Sequence, residues 1–135
     1  MRARGDRGTG LVASFAGLTV VILFMTFAAQ VLLSLYATST VRATLHDAAS
    51  RAADQRTGQP DLGALAAQAE ASLGEMGDRT SITLQLLDED GDGAPDVVVG
   101  HALAIPPRVV PRSIGGMIGF DHIDVSVRVR IERLR

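Results

Sequence analysis

The chain has 135 residues, of which 47% are hydrophobic and only 4% aromatic, and its formal net charge is -2. It contains no cysteine, which excludes disulfides, thiolate metal sites and thiol catalysis. Near-balanced charge and scarce aromatics exclude the basic, base-stacking face that nucleic-acid binding requires, so no nucleic acid is expected among its partners.

Residues 1–10, MRARGDRGTG, form a basic tail with Arg2, Arg4 and Arg7 against Asp6. Residues 11–36 then run LVASFAGLTVVILFMTFAAQVLLSLY, and no ionisable group except the Tyr36 phenol falls between Arg7 and Arg42. At about 1.5 Å per residue, roughly 20 apolar residues cross a hydrocarbon core of about 30 Å. This segment is therefore expected to be a transmembrane helix. The apolar centre of a cleaved secretory signal is shorter, about 7 to 15 residues, whereas here the run continues past Ala28 and Ala29. An interfacial helix would need a charged face, and this one has none. Basic residues flanking a span are retained in the cytoplasm, so the tail is expected inside and the remainder outside. Gly10, Ala13, Ser14 and Gly17 place small side chains at four-residue spacing, a surface on which two helices can approach closely in lipid. Gln30 falls past the middle of the run, near one interface.

Residues 37–78 read as a helical stalk and a second helix. Neither Gly nor Pro occurs from Thr38 to Arg56, and Val41, Leu45, Ala48 and Ala52 recur at helical spacing. Gly58 and Pro60 are expected to end that helix. Asp61 then caps a helix through Leu62, Leu65, Ala66, Ala69 and Leu73, which Gly74 and Gly77 close.

From residue 79 to 135 the period becomes two. Ile82, Leu84 and Leu86 alternate with polar residues; Val97 to Ile105 reads as a second strand stopped by Pro106 and Pro107; and Ile123, Val125, Val127, Val129 and Ile131 alternate strictly with polar neighbours. One-sided strands need a cover, and the Ala-rich helices are available. The expected fold class is α+β, with a small antiparallel sheet of about three strands packed on helices.

The residues quoted from the first half also carry a resemblance. Arg7-Gly8-Thr9-Gly10-Leu11-Val12, the apolar run, Leu35-Tyr36-Ala37 through Val41, and Ala48-Ala49-Ser50-Arg51-Ala52-Ala53 resemble the N-terminal region of TadE-like proteins. Those are minor pseudopilin-type components of tight-adherence (Flp) pilus assembly, and the Gly-rich loop and alternating strand ending in Glu132-Arg133 are similar to actinobacterial members. The resemblance implies a non-enzymatic structural component whose partners are membrane lipid and other pilus or secretion-apparatus subunits. In that family a Gly precedes the peptidase cut and a Glu commonly stands five residues into the mature helix. Here that place is Ala13 if Gly8 precedes the cut, or Phe15 if Gly10 does. With no carboxylate at either place, an intact anchor is expected.

The stretch Asp88-Glu89-Asp90-Gly91-Asp92-Gly93-Ala94-Pro95-Asp96 sets carboxylates at relative positions 1, 3, 5 and 9 and a Gly at 6. Asp88, Asp90, Asp92, the Ala94 carbonyl and Asp96 could thus wrap Ca²⁺. Val99 replaces the bidentate Glu of an EF-hand and the flanks are strands, so any affinity belongs to the weak range of about 10⁻⁴ to 10⁻³ M. The same residues equally suit an acidic hairpin turn. The segment from Arg79 to Gly100 is acidic and the C-terminal part, with Arg108, Arg112, Arg128, Arg130, Arg133 and Arg135, is basic; such patches suit pairing within the chain or head-to-tail contact between subunits, but are expected chiefly as solvated surface. His46, His101 and His122 have no spaced ligand set or nucleophile beside them, and no Gly-rich phosphate loop precedes a helix. Neither catalysis nor a small-molecule substrate is expected. The apolar loop from Ile114 to Phe120 is expected to fill the core beneath the sheet, or to dock a partner.

Overall fold

The computed structural model describes residues 9–54, 60–109 and 122–131. Its first element is one helix, α1, over Thr9–Asp54. At about 1.5 Å per residue its 46 residues extend roughly 69 Å, twice the span of a small domain. After it come α2 (Leu62–Ser72), a 3-10 segment (Gly74–Arg79), and strands β1 (Thr80–Leu87), β2 (Val97–Ala104) and β3 (Ile123–Arg130). The strands form one antiparallel sheet in the order β1-β2-β3. The fold is α+β, as the change of period along the chain predicts.

α1 has two halves with different surroundings. From Gly10 to Ala29 no residue is buried, and this part is long and apolar enough to cross a membrane. From Gln30 onward one stripe is covered: Gln30, Ser34, Ala37, Val41, Leu45, Ala48 and Ala52 are buried, at spacings of three or four. That stripe packs on β2 and β3, while α2 sits against β1 and α1. Val41, Leu45, Ala48 and Ala52 therefore lie where their periodicity placed them. The covered stripe nevertheless starts at Gln30, inside the stretch 11–36 read as span, so no bare stalk separates the apolar end from the domain.

The sheet contributes its even face on β1 and β2 and its odd face on β3. Ile82, Leu84, Val98, Ala102, Ala104, Ile123 and Val125 join the helix residues, with Ala66 and Ala69 of α2, in a single core. Alanine at the contacts lets helix and sheet approach closely. At the centre the approach is closer still: a Cβ on Gly100 would lie 2.9 Å from Leu45 Cδ1 and 3.2 Å from Leu84 Cδ2. Gly100 is the hollow in β2 that receives Leu45.

Two contacts give the direction of packing. Gln30 bonds the carbonyl of Pro107, and Leu45 meets Gly100. Fifteen helical residues rise roughly 22 Å and seven extended ones about 23 Å, so α1 and β2 run side by side in opposite directions. The turn between β1 and β2 consequently lies at the end of the domain remote from the bare half of α1.

Asp61 caps α2 as expected, its Oδ1 accepting from Ala64 N at 2.9 Å. Gly74 follows α2, but the chain does not loop out there; it continues as the 3-10 segment into β1. On the edge of β1, Glu70 Oε1 accepts from Ile82 N at 2.7 Å, so α2 supplies one partner that a further strand would have given. Gly58, the loop from Ile114 to Phe120, residues 1–8 of the basic tail, and Arg112, Glu132, Arg133 and Arg135 lie outside the described residues; Thr9 and Gly10 belong to α1.

Candidate functional site

Three sets of residues carry polar chemistry, and the fold places them at separate levels along the molecule.

The first is the remote acidic turn. Asp88 closes it: its two carboxylate oxygens accept from Gly91 N at 2.7 Å and Gly93 N at 2.8 Å. Gly91 and Gly93 have φ of 75° and 86°, the left-handed region that favours glycine. Asp90 Oδ1 accepts from Asp92 N at 3.2 Å, and Asp92 Oδ1 from Ala94 N at 2.8 Å. Among the described residues, Asp88, Asp90 and Asp96 bring carboxylate oxygens within 4.8 Å of one another. Asp92 is not in that group of three, and Ala94 enters the turn through its N–H.

The electrostatics of the turn are uneven. The Gly93 N–H, helped by Gly91, Asp90 and Asp92, holds Asp88 below the ordinary carboxylate value despite some desolvation. Asp90 goes the other way: the Asp92 N–H stabilises its charge, but desolvation, the charges of Asp92 and Asp96 and its contact with Asp88 together raise it. Asp88 thus ionises before Asp90 as pH rises. A divalent cation would do for three crowded carboxylates what a proton does for one. Glu89 turns outward toward Arg128, with 3.8 Å between charged atoms, a surface pair that contributes little.

The second set is on the sheet face away from the helices. His101 Nε2 lies 3.2 Å from Asp124 Oδ1, both exposed, and Thr83 is the direct cross-strand partner of His101. Thr83, Gln85, Val99 and His101 line a shallow depression of about 270 Å³. No side-chain hydrogen bond joins the Thr83 hydroxyl to His101, so the His101–Asp124 pair has no activated hydroxyl beside it. His46 instead lines a groove with Arg42, Ala43 and Ser126, between α1 and β3.

The third set stands where the bare half of α1 ends. Gln30 is almost fully buried, and its amide grips the segment after β2: Nε2 donates to Pro107 O at 3.2 Å, while Oε1 accepts from Val109 N at 2.7 Å. Nε2 also lies 3.5 Å from Ser34 Oγ. This clamp escapes a reading of the sequence alone, because its partners lie 77 and 79 residues away. The only signal for it is an amide interrupting an apolar run. Below it, Thr19 and Thr26 turn their hydroxyls onto the carbonyls of Phe15 and Ile22, so neither presents an unsatisfied donor to an apolar surrounding. The small-residue face of Gly10, Ala13, Ser14 and Gly17 is exposed, and a Cβ on Gly10 or Gly17 would meet nothing within 4 Å.

Comparison with known protein families, curated proteins and solved structures gives no match for this chain.

Proposed function

We propose that this protein is a single-pass, membrane-anchored structural component of a pilus-assembly or secretion apparatus, similar to the minor pseudopilins of tight-adherence systems. The observation that carries the reading is the division of α1. Twenty residues from Gly10 to Ala29, about 30 Å of helix, are bare and apolar, and the same unbroken helix then becomes the spine of a folded domain. A subunit built this way transmits position from lipid to domain through one rigid rod. Its N-terminus is cytoplasmic and the sheet domain extracytoplasmic, following the basic tail. The exposed Gly10, Ala13, Ser14 and Gly17 face is where a second apparatus helix packs in the bilayer.

Crosslinking the intact protein in native membranes and recovering it in mild detergent tests this reading. Co-recovery of a secretion ATPase and polytopic assembly proteins is expected. Recovery alone, or with unrelated partners, would reject the apparatus while leaving the anchor.

A second reading is favoured by the convergence of Asp88, Asp90 and Asp96: a membrane-tethered binding module whose remote turn is stabilised by Ca²⁺. Calorimetric titration of the full chain in micelles with calcium should then release or absorb heat at roughly millimolar ion, the range of weak extracellular sites. Absence of heat there would leave an acidic turn and nothing more.

A further inference from the structure

Apolar surface does not end where the folded domain begins. Leu32, Leu35 and Tyr36 of α1, on the side away from the sheet, and Ile105 and Val109 after β2 are each between 51% and 70% exposed. They occupy one level. Tyr36 stands six helical residues above Gln30, about 9 Å. Ile105 stands two extended residues above Pro107, about 7 Å, and Pro107 is held to Gln30. The polar interfacial zone of a bilayer adds roughly 5 to 8 Å on each side of its hydrocarbon core. If Gly10 to Ala29 fill that core, Leu32, Leu35, Ile105 and Val109 fall within this zone, and Tyr36 stands at its outer edge with its side chain leaning back toward the helix N-terminus.

We infer that the base of the domain is seated in the membrane interface, with Leu32, Leu35, Tyr36, Ile105 and Val109 forming a collar against lipid; the inference rests on the anchored reading above. Lipid is the occupant because the patch is continuous with the bare span and lies directly above it. Tyr36, the only tyrosine in the chain, sits where amphipathic rings collect at membrane surfaces. Arg79, whose carbonyl accepts from Ile105 N, and half-buried Arg108 bring cationic side chains to headgroup height. Glu75 and Asp78 stand on the same 3-10 segment as Arg79, so the collar suits a zwitterionic surface as well as an anionic one. Gln30 has a purpose in this arrangement: it satisfies Val109 N–H and Pro107 C=O at a depth where water is scarce.

The absence of native cysteine allows single-label variants of the full chain in phosphatidylcholine vesicles. An environment-sensitive fluorophore is placed at Leu35→Cys, Ile105→Cys or Val109→Cys, at Leu87→Cys at the remote end of the sheet, and at Val20→Cys in the span. Shallow nitroxide lipids are expected to quench the three collar positions several-fold more than Leu87→Cys, with aqueous iodide showing the opposite order and deep nitroxide quenching Val20→Cys. If the collar positions match Leu87→Cys while Val20→Cys is still quenched, the domain stands clear of lipid and the collar is rejected, the span retained. Loss of quenching at Val20→Cys rejects the span and the collar with it. Quenching at Leu35→Cys that disappears as protein-to-lipid ratio rises identifies a second copy as the occupant, which also overturns the inference.

Discussion

Gly100 and Leu45 show how much a single hollow decides. Valine at position 100 would place methyl groups where Leu45 and Leu84 already sit, and overpacking of this kind typically costs about 1–3 kcal/mol. Gly100→Val is expected to lower the thermal midpoint in micelles, and adding Leu45→Ala should recover part of the loss because the two changes share one volume. If the double variant is merely the sum of the singles, the residues do not interlock. Gln30 makes a different kind of contribution. Gln30→Leu keeps volume but leaves the part-buried N–H of Val109 and C=O of Pro107 without this partner, at a cost of about 1 kcal/mol. Faster amide exchange at Val109, with slow exchange retained in β1 and β2, is the expected signature. Unchanged protection at Val109 would mean that the clamp is idle. Neither residue announces itself in the sequence: Gly100 lies inside the run from Val97 to Ile105, and Gln30 past the middle of an apolar span.

The acidic turn behaves as an element, and its pH response follows from the two shifted carboxylates. Asp88 has a lowered value in the folded turn, so it stabilises the turn above its ordinary unfolded value near 3.8. That contribution is lost as pH falls through the lower folded value. Asp90 has a raised value, so its ionisation opposes the folded turn, and protonation as pH falls through that raised value relieves the opposition. Chemical-shift titration should therefore show Asp90 taking a proton before Asp88, with Gly91 and Gly93 amides released only at the more acidic step. The reverse order would contradict the hydrogen-bond scheme. Asp88→Asn should loosen the turn, whereas Asp90→Asn removes one of the crowded charges and should be tolerated. The turn was legible because Asp and Gly at fixed offsets have few other uses. Which carboxylates converge was not, since that depends on which N–H groups each oxygen accepts.

For the whole molecule, an anchored and uncut chain makes two further expectations. Alkaline carbonate should leave the protein in the membrane pellet, and mass spectrometry should find the first ten residues retained. Release into the supernatant would remove the anchor, and loss of the first eight or ten residues would show peptidase processing after all. The sequence by itself determined the helix-to-strand change of period, the capping of α2 by Asp61, the three strands and the covered stripe from Val41 to Ala52, because burial on one face leaves a local period that composition cannot hide. Only the tertiary structure decided where the domain begins along α1, which glycine admits Leu45, and how Glu70 and Gln30 satisfy distant backbone groups. Those depend on contacts between residues far apart in the chain, and periodicity contains no record of them.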